Sequence, residues 1–215
     1  MKGADITQGT VIKAGNAFCI AQVDGQLPAG EHPLGLYVDD CRHLSVHELR
    51  LNGVAPRLLV SSDQAGQAAV YELTNPELPL ADGDVLPLQA LRVRLEQRIH
   101  RDGLDETITL RSHHSAAVEL DVSLRLDADF APMLEIREMT EPQAREVQRE
   151  GLRLSCVGLD GWTRATTVTC EGAEPGDDGT LHARVRLEPR GEHRLSLSCH
   201  FSATPPAQQP PAAPE

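Results

Sequence analysis

From Val118 to Phe130 the chain alternates without a fault. Val118, Leu120, Val122, Leu124, Leu126, Ala128 and Phe130 share one parity, and Glu119, Asp121, Ser123, Arg125, Asp127 and Asp129 share the other. A strict period of two fits a strand with one face buried and the other in water, and it fits no helix. Such a strand cannot stand alone, so the rest of the chain must supply a sheet and a layer to cover it. Candidates are present on both sides. Upstream, Leu91, Val93, Leu95 and Ile99 alternate with charged residues, and after Arg101-Asp102-Gly103 the pattern resumes at Leu104, Ile108 and Leu110. With a turn at Ser112 to Ala117, these three segments predict an antiparallel meander. Downstream, Leu152 to Val157, Ala165 to Cys170, Leu181 to Leu187 and Leu195 to Phe201 are further strand candidates, separated by glycine-rich acidic turns. The expected fold is all-β, a large antiparallel β-sandwich of the supersandwich kind. Its core must come from Leu, Val, Ile and Ala, because the chain holds only three Phe, two Tyr and one Trp.

The stretch Gly35 to Gly53, GLYVDDCRHLSVHELRLNG, adds local detail. Leu44 and Val46 share one parity while Leu49 and Leu51 share the other, which predicts a bulge near His47 or Glu48 if all four point inward. Asn52-Gly53 tolerates positive φ at both positions, as a two-residue hairpin turn requires. At most one short helix is expected: Thr140 is placed to cap EPQAREVQRE, with Pro142 in the first turn and Gly151 past the end. That segment has almost no apolar face, so an exposed helical excursion and a plain loop are both open. Residues 204–215, TPPAQQPPAAPE, carry five prolines and no large apolar side chain, and read as a disordered tail or linker. No internal repeat appears, and residues 1–203 are expected to form one domain.

A formal net charge of −12 argues against a nucleic acid or an anionic membrane as partner, since both recruit clustered Lys and Arg. Five cysteines, Cys19, Cys41, Cys156, Cys170 and Cys199, form no C-x-x-C pair, and their odd number suits reduced thiols. No signal peptide and no bilayer-length apolar run is visible, which makes the cytoplasm the expected compartment.

Five segments occur in a telling order: GLYVDDCRHLSVHELRLNG, ELTNPELPL at Glu72 to Leu80, LDETITLRSH at Leu104 to His113, LDADFAPMLEIRE at Leu126 to Glu138, and VGLDGWTR at Val157 to Arg164. Together they resemble the N-terminal domain of bacterial glycogen debranching enzymes of the amylo-α-1,6-glucosidase type, from about Gly15 to about Phe201. In that family the domain is an antiparallel β-sandwich set before an α/α toroidal barrel, and the barrel carries the catalytic carboxylates. The resemblance therefore implies a non-catalytic domain in α-glucan metabolism, without a cofactor, whose partners are a catalytic barrel in cis or in trans and the α-glucan itself. Two other classes stand beside it: a stand-alone interaction or assembly module, and a small sugar-modifying enzyme.

The family pattern has an acid-x-Arg element matched by Asp40 and Arg42, and an Asp-Phe followed by acid-aliphatic-Arg matched by Asp129, Phe130, Glu135, Ile136 and Arg137. Departures are Cys41 where threonine is usual, His43 where an aromatic is usual, Pro132 for an acid, Leu134 for a phenylalanine, and Glu138 for a glycine. The last predicts a remodelled loop wherever the backbone needs positive φ. Glycoside hydrolysis needs two carboxyl groups across the scissile bond. For the acids here, turn formation at Asp39-Asp40 and ion pairing of Asp40 with Arg42 or Arg137 are the simpler expectation. His43 and His47 have helical zinc spacing, but on a strand they lie about 13 Å apart, so no metal site is expected. Trp162 is the best-placed aromatic for a sugar: the turn in LDGWTR presents it, unless it caps the sandwich core instead.

Overall fold

The computed structural model describes residues 9–64, 66–81, 83–176 and 178–206. The strands run in chain order as β1 (Thr10–Ala14), β2 (Ala17–Ala21), β3 (Gly35–Val38), β4 (Cys41–Leu44), β5 (Val46–Leu51), β6 (Arg57–Gln64), β7 (Ala68–Thr74), β8 (Leu78–Pro79) and β9 (Val85–Leu86). They continue as β10 (Leu91–Ile99), β11 (Gly103–Ser112), β12 (Val118–Asp127), β13 (Gln148–Glu150), β14 (Arg153–Val157), β15 (Thr163–Glu171), β16 (Glu174–Pro175), β17 (Leu181–Leu187) and β18 (Glu192–Thr204). One short helix, α1 (Met133–Ile136), lies between β12 and β13. Among the described residues no helix is long and apolar enough to cross a membrane.

One layer is an eight-stranded sheet in the order β13-β14-β15-β18-β11-β10-β7-β6. The opposing layer is two four-stranded sheets, β1-β2-β3-β4 and β16-β17-β12-β5. Strands β1 and β2 pack on β10, β4 on β15, and β17 on β18, which makes the molecule an antiparallel sandwich. The two smaller sheets are joined by the chain beyond β12. Asp127 still pairs with Val46, the Ser45 N–H reaches the Asp127 carbonyl, and Arg42 N–H then donates to the Ala131 carbonyl beside β4.

The apolar parity of β12 is buried from Val118 to Leu126, against Leu91, Val93, Leu95, Ile108 and Leu110 in the same core. Each fully buried Val or Leu contributes roughly 1.5–3 kcal/mol relative to leaving it in water. Sandwich class, the single short helix among the described residues and the β10–β11 hairpin all follow the sequence pattern. Four details differ. First, β12 does not pair with β11: the free edge of β11 is taken by β18, and the Ser112–Ala117 connection crosses to the other layer. Second, the expected bulge near His47 is instead a break at Ser45, where the chain leaves one sheet for the other. That break lets Leu44 join Leu49 and Leu51 in the main core, whereas Val46, in unbroken register with Leu49 and Leu51 on β5, is buried on the opposite face. Third, the strand ends at Asp127 rather than Phe130, because Phe130 takes a left-handed φ of 51° and turns the chain toward β4. Fourth, residues 141–147 form a loop and not a helix, as their missing apolar face allows, while the helix that does form is α1.

Two tight turns frame the functional region. Asn52 and Gly53, at φ 47° and 77°, let Leu51 and Val54 exchange both backbone hydrogen bonds, as expected. Asp39 and Asp40, at φ 46° and 63°, make the corresponding turn between β3 and β4. The Pro-rich segment 204–215 is described only as far as Pro206; its remainder lies outside the described residues.

Candidate functional site: two clefts on the two faces of strand β4

Every residue of β4 is buried, and successive side chains of a strand point to opposite faces. Arg42 therefore serves one cleft, and its neighbour His43 serves another.

On the Arg42 side, the guanidinium binds Asp129 with two donors, Nε to Oδ1 at 3.0 Å and Nη2 to the second oxygen. Nη1 donates to the carbonyls of His32 at 2.6 Å and Leu34 at 3.1 Å. Burial by itself would lower the affinity of this guanidinium for its proton, but the Asp129 contacts outweigh it and hold the charge. A side chain at position 35 would collide with Arg42 and with the Leu44 carbonyl, which accounts for the glycine there.

The opposite wall is α1 and the loop after it. Glu135 pairs with Arg145 and also accepts from the Gln143 N–H at 3.2 Å. At the helix end, Glu138 N–H donates to the Glu135 carbonyl and Met139 N–H to the Leu134 carbonyl, the paired hydrogen bonds of a Schellman cap. Glu138 sits at its left-handed position with φ 57°. Glu138 thus holds a backbone conformation that favours glycine. Between the two walls lies a cleft of about 540 Å³ lined by Glu31, Arg42, Asp129, Glu135 and Arg145, with Leu134 and Met139 exposed on the α1 segment.

Arg42, Asp129 and Glu135 thus meet, whereas Asp40 and Arg137 take other positions. Asp40 is exposed in the β3–β4 turn, where its carbonyl accepts the Met133 N–H. The anticipated Asp40–Arg42 pair is not formed, because the guanidinium fork is satisfied by Asp129 and two carbonyls. Arg137 is exposed at the helix end and has no ion-pair partner among the described residues. Chemically, two of the four carboxylates that line this cleft are committed, Asp129 to Arg42 and the Ala131 N–H and Glu135 to Arg145 and the Gln143 N–H, while Glu31 and Glu138 are exposed at its rim. Neither Asp129 nor Glu135 stands as a free base or nucleophile, and their arrangement suits recognition better than proton transfer.

On the other face, His43 packs edge-on against Phe130 at 5.4 Å and tilted against Phe201 at 5.3 Å, filling the place of the family's aromatic. It is 2% exposed, and burial pushes its pKa down to about 4, so the ring is neutral at neutral pH. Its Nδ1 has no hydrogen-bond partner among the described residues. Outside it opens a cleft of about 470 Å³ whose walls include Trp162. The turn at 158–162 is closed by Gly158 N–H to the Trp162 carbonyl at 2.8 Å, with Gly161 at φ 77°. Asp160 caps the Trp162 N–H and grips Arg164 with both oxygens, which holds its carboxyl down to about 2. Trp162 is 39% exposed, so it is presented by the turn rather than closing the sandwich core.

A third polar group was missed by sequence reading. His47 Nε2 lies 2.5 Å from Glu106 Oε2 with both side chains sealed inside the core, and Gln97 Nε2 is 3.5 Å from the other Glu106 oxygen. The signal was there: in β10 and β11 the apolar parity skips a beat at Gln97 and at Glu106. His43 and His47 go to different neighbours, and no cluster of three or more His, Cys, Asp or Glu able to hold a metal exists among the described residues. All five cysteines are free thiols.

A family model for the N-terminal domain of some glycogen debranching enzymes matches residues 12–198. The chain belongs to this family. The debranching-enzyme domain so defined contains the first cleft and most of the second, whose Phe201, Ser202 and Ala203 lie just beyond the match. No curated protein matches the sequence. Among solved structures, a putative kojibiose phosphorylase from human microbiome is similar with a TM-score of 0.60 at 9% identity, over 95% of this chain and 31% of that one. The chain thus spans about a third of that protein, and the likeness is one of fold. A putative aldose 1-epimerase from Escherichia coli K12 gives a TM-score of 0.49 at 8% identity, over 90% of this chain and 98% of that one. A galactose mutarotase-like protein from Lactobacillus casei gives 0.48 at 8%, over 90% and 100%.

Proposed function

We propose that this chain is a non-catalytic domain of α-glucan debranching that packs on a catalytic α/α barrel, in cis or in trans, and shapes the mouth of its cleft. The observation that carries this reading is the state of two of the cleft acids. Asp129 and Glu135 are each bound to a guanidinium, beside an exposed lip of Leu134 and Met139 that has charge and apolar surface to offer a partner. A rim of this kind favours association over chemistry. Membership of the debranching-enzyme domain family supports the glucan context.

Two measurements on the full chain test the proposal. Incubated alone with a branched limit dextrin, it should release no glucose; used as bait, it should retain an α/α-barrel glucosidase identified by mass spectrometry. The charge reversal Glu135→Lys should weaken that retention. Turnover by the chain alone, or a folded bait that retains no barrel protein, would overturn the reading.

A further inference from the structure

We infer that the Trp162 cleft is a binding site for a neutral sugar ring, a glucosyl unit of an α-glucan, distinct from the Arg42–Asp129 cleft. The choice of α-glucan rests on the reading above. The choice of a neutral, hydroxyl-rich ring does not, and comes from the walls.

The cleft holds about 470 Å³, within the range of small-ligand sites. Trp162 offers an amphipathic aromatic surface at its edge and Phe201 lies deeper. Around them stand ionic groups of both signs, Arg101 and Arg164 against Asp39 and Asp102. Arg101 is exposed and has no ion pair among the described residues, and Asp102 is only loosely approached by His200 at 3.8 Å. A purely apolar ligand would strip water from these groups without return. An anion would meet two carboxylates beside the two guanidinium groups, of which Arg164 is already taken by Asp160, on a chain of net charge −12. Sugar hydroxyls both donate and accept, and a ring with polar edges and an apolar face uses every wall.

The second observation is His43 on the inner side. It is nine-tenths buried and more, it is held by the backbone at Ala165, and its Nδ1 lacks a partner. Buried polar atoms are satisfied in the great majority of cases, and one that is not, on the wall of a cleft, is open to a water or a ligand group. A neutral imidazole nitrogen can meet a hydroxyl in either role, according to its tautomer.

The chain carries a single tryptophan, so emission excited at 295 nm reports on this cleft alone. Titrating the full chain with maltoheptaose should change that emission saturably, with a Kd of roughly 0.1–1 mM, the range open to one stacking surface and a few hydrogen bonds. Calorimetry should give the same Kd, weakened about tenfold or more by Trp162→Ala and several-fold by Arg101→Ala or Asp102→Asn, but restored by Trp162→Phe. Arg137→Ala, at the exposed end of α1 and lining neither cleft, should leave it unchanged. No saturable signal from a protein shown folded by circular dichroism would overturn the inference, as would binding that survives Trp162→Ala. Preference for cellohexaose over maltoheptaose would overturn the α-glucan assignment. The two proposals fail separately: a retained barrel with no maltoheptaose binding removes this site and keeps the domain reading, and Trp162-dependent binding without any barrel partner does the reverse.

Discussion

Two ion pairs on consecutive strands of different sheets are built on opposite terms. Arg42 on β4 is sealed, but its partner Asp129 is 41% exposed at the side chain, and the guanidinium makes four hydrogen bonds. His47 on β5 and Glu106 are exposed by 1% and 0%, and their surroundings remain incomplete: His47 Nδ1 and Gln97 Oε1 have no partner among the described residues. The first pair has its charge balanced at the edge of water and can serve a surface. The second has no contact with solvent and depends entirely on its own members. Burial raises the stakes of an ion pair without raising its worth, because the desolvation cost grows along with the attraction.

The sharpest way to break this comparison is Glu106→Ala, which leaves His47 alone in the core. It should cost about 3–5 kcal/mol in equilibrium urea unfolding, whereas the double replacement His47→Leu with Glu106→Leu should stay near the parent or exceed it. A double variant as unstable as the single would mean that the pair itself is needed.

Next in size is a pH effect of opposite sign at the two histidines of this region. Burial lowers His43 to about 4 from an ordinary 6.5, so between these values the unfolded chain takes up a proton that the folded chain refuses. Stability should therefore fall by about 3 kcal/mol as pH drops through that window, and His43→Phe should remove the loss. For His47, burial works to lower the pKa, but Glu106 overrides it and raises the folded value. Its contribution is complete below pH about 6.5 and is lost as pH rises through the folded pKa. Denaturant midpoints measured across pH 4 to 9, in both single variants, separate the two limbs.

Arg42→Ala should cost roughly 2–3 kcal/mol, less than Glu106→Ala, because water can reach Asp129 once its partner is gone. An equal or larger loss would erase the distinction between the pairs. The smallest expected effect is Glu138→Gly, which relieves a left-handed glutamate at the edge of the first cleft and should stabilise by about 0.5–1 kcal/mol in thermal unfolding.

The sandwich was legible because its strands announce themselves by period: β10, β11, β12 and β17 lie where the alternation puts them. Period two assigns a face but no neighbour, so nothing in it told that β12 would leave β11 for the other layer, or that the chain would change sheets at Ser45. The same limit governs the site. Arg42 and Asp129 were both singled out, yet their pairing was assigned elsewhere, since 87 residues separate them and only the folded chain brings them together. Arg145 lies in a segment without pattern and gave no sign of itself. Glu106 and Gln97 were readable as interruptions of apolar parity, a signal that points to a buried polar group before any partner is known.

The position of β18 has a consequence for how this protein is made. In the eight-stranded sheet it stands between β15 and β11, although it is the last strand among the described residues. Until it emerges from a ribosome, the sheet is two separate ribbons, β13-β14-β15 and β11-β10-β7-β6, each with an open hydrogen-bonding edge. Vectorial synthesis thus cannot complete the larger layer piece by piece, and both edges must be shielded from other nascent chains until about residue 204 is available. Shortening the chain by a dozen residues before that point would remove the plank that joins the two halves, not a terminal ornament.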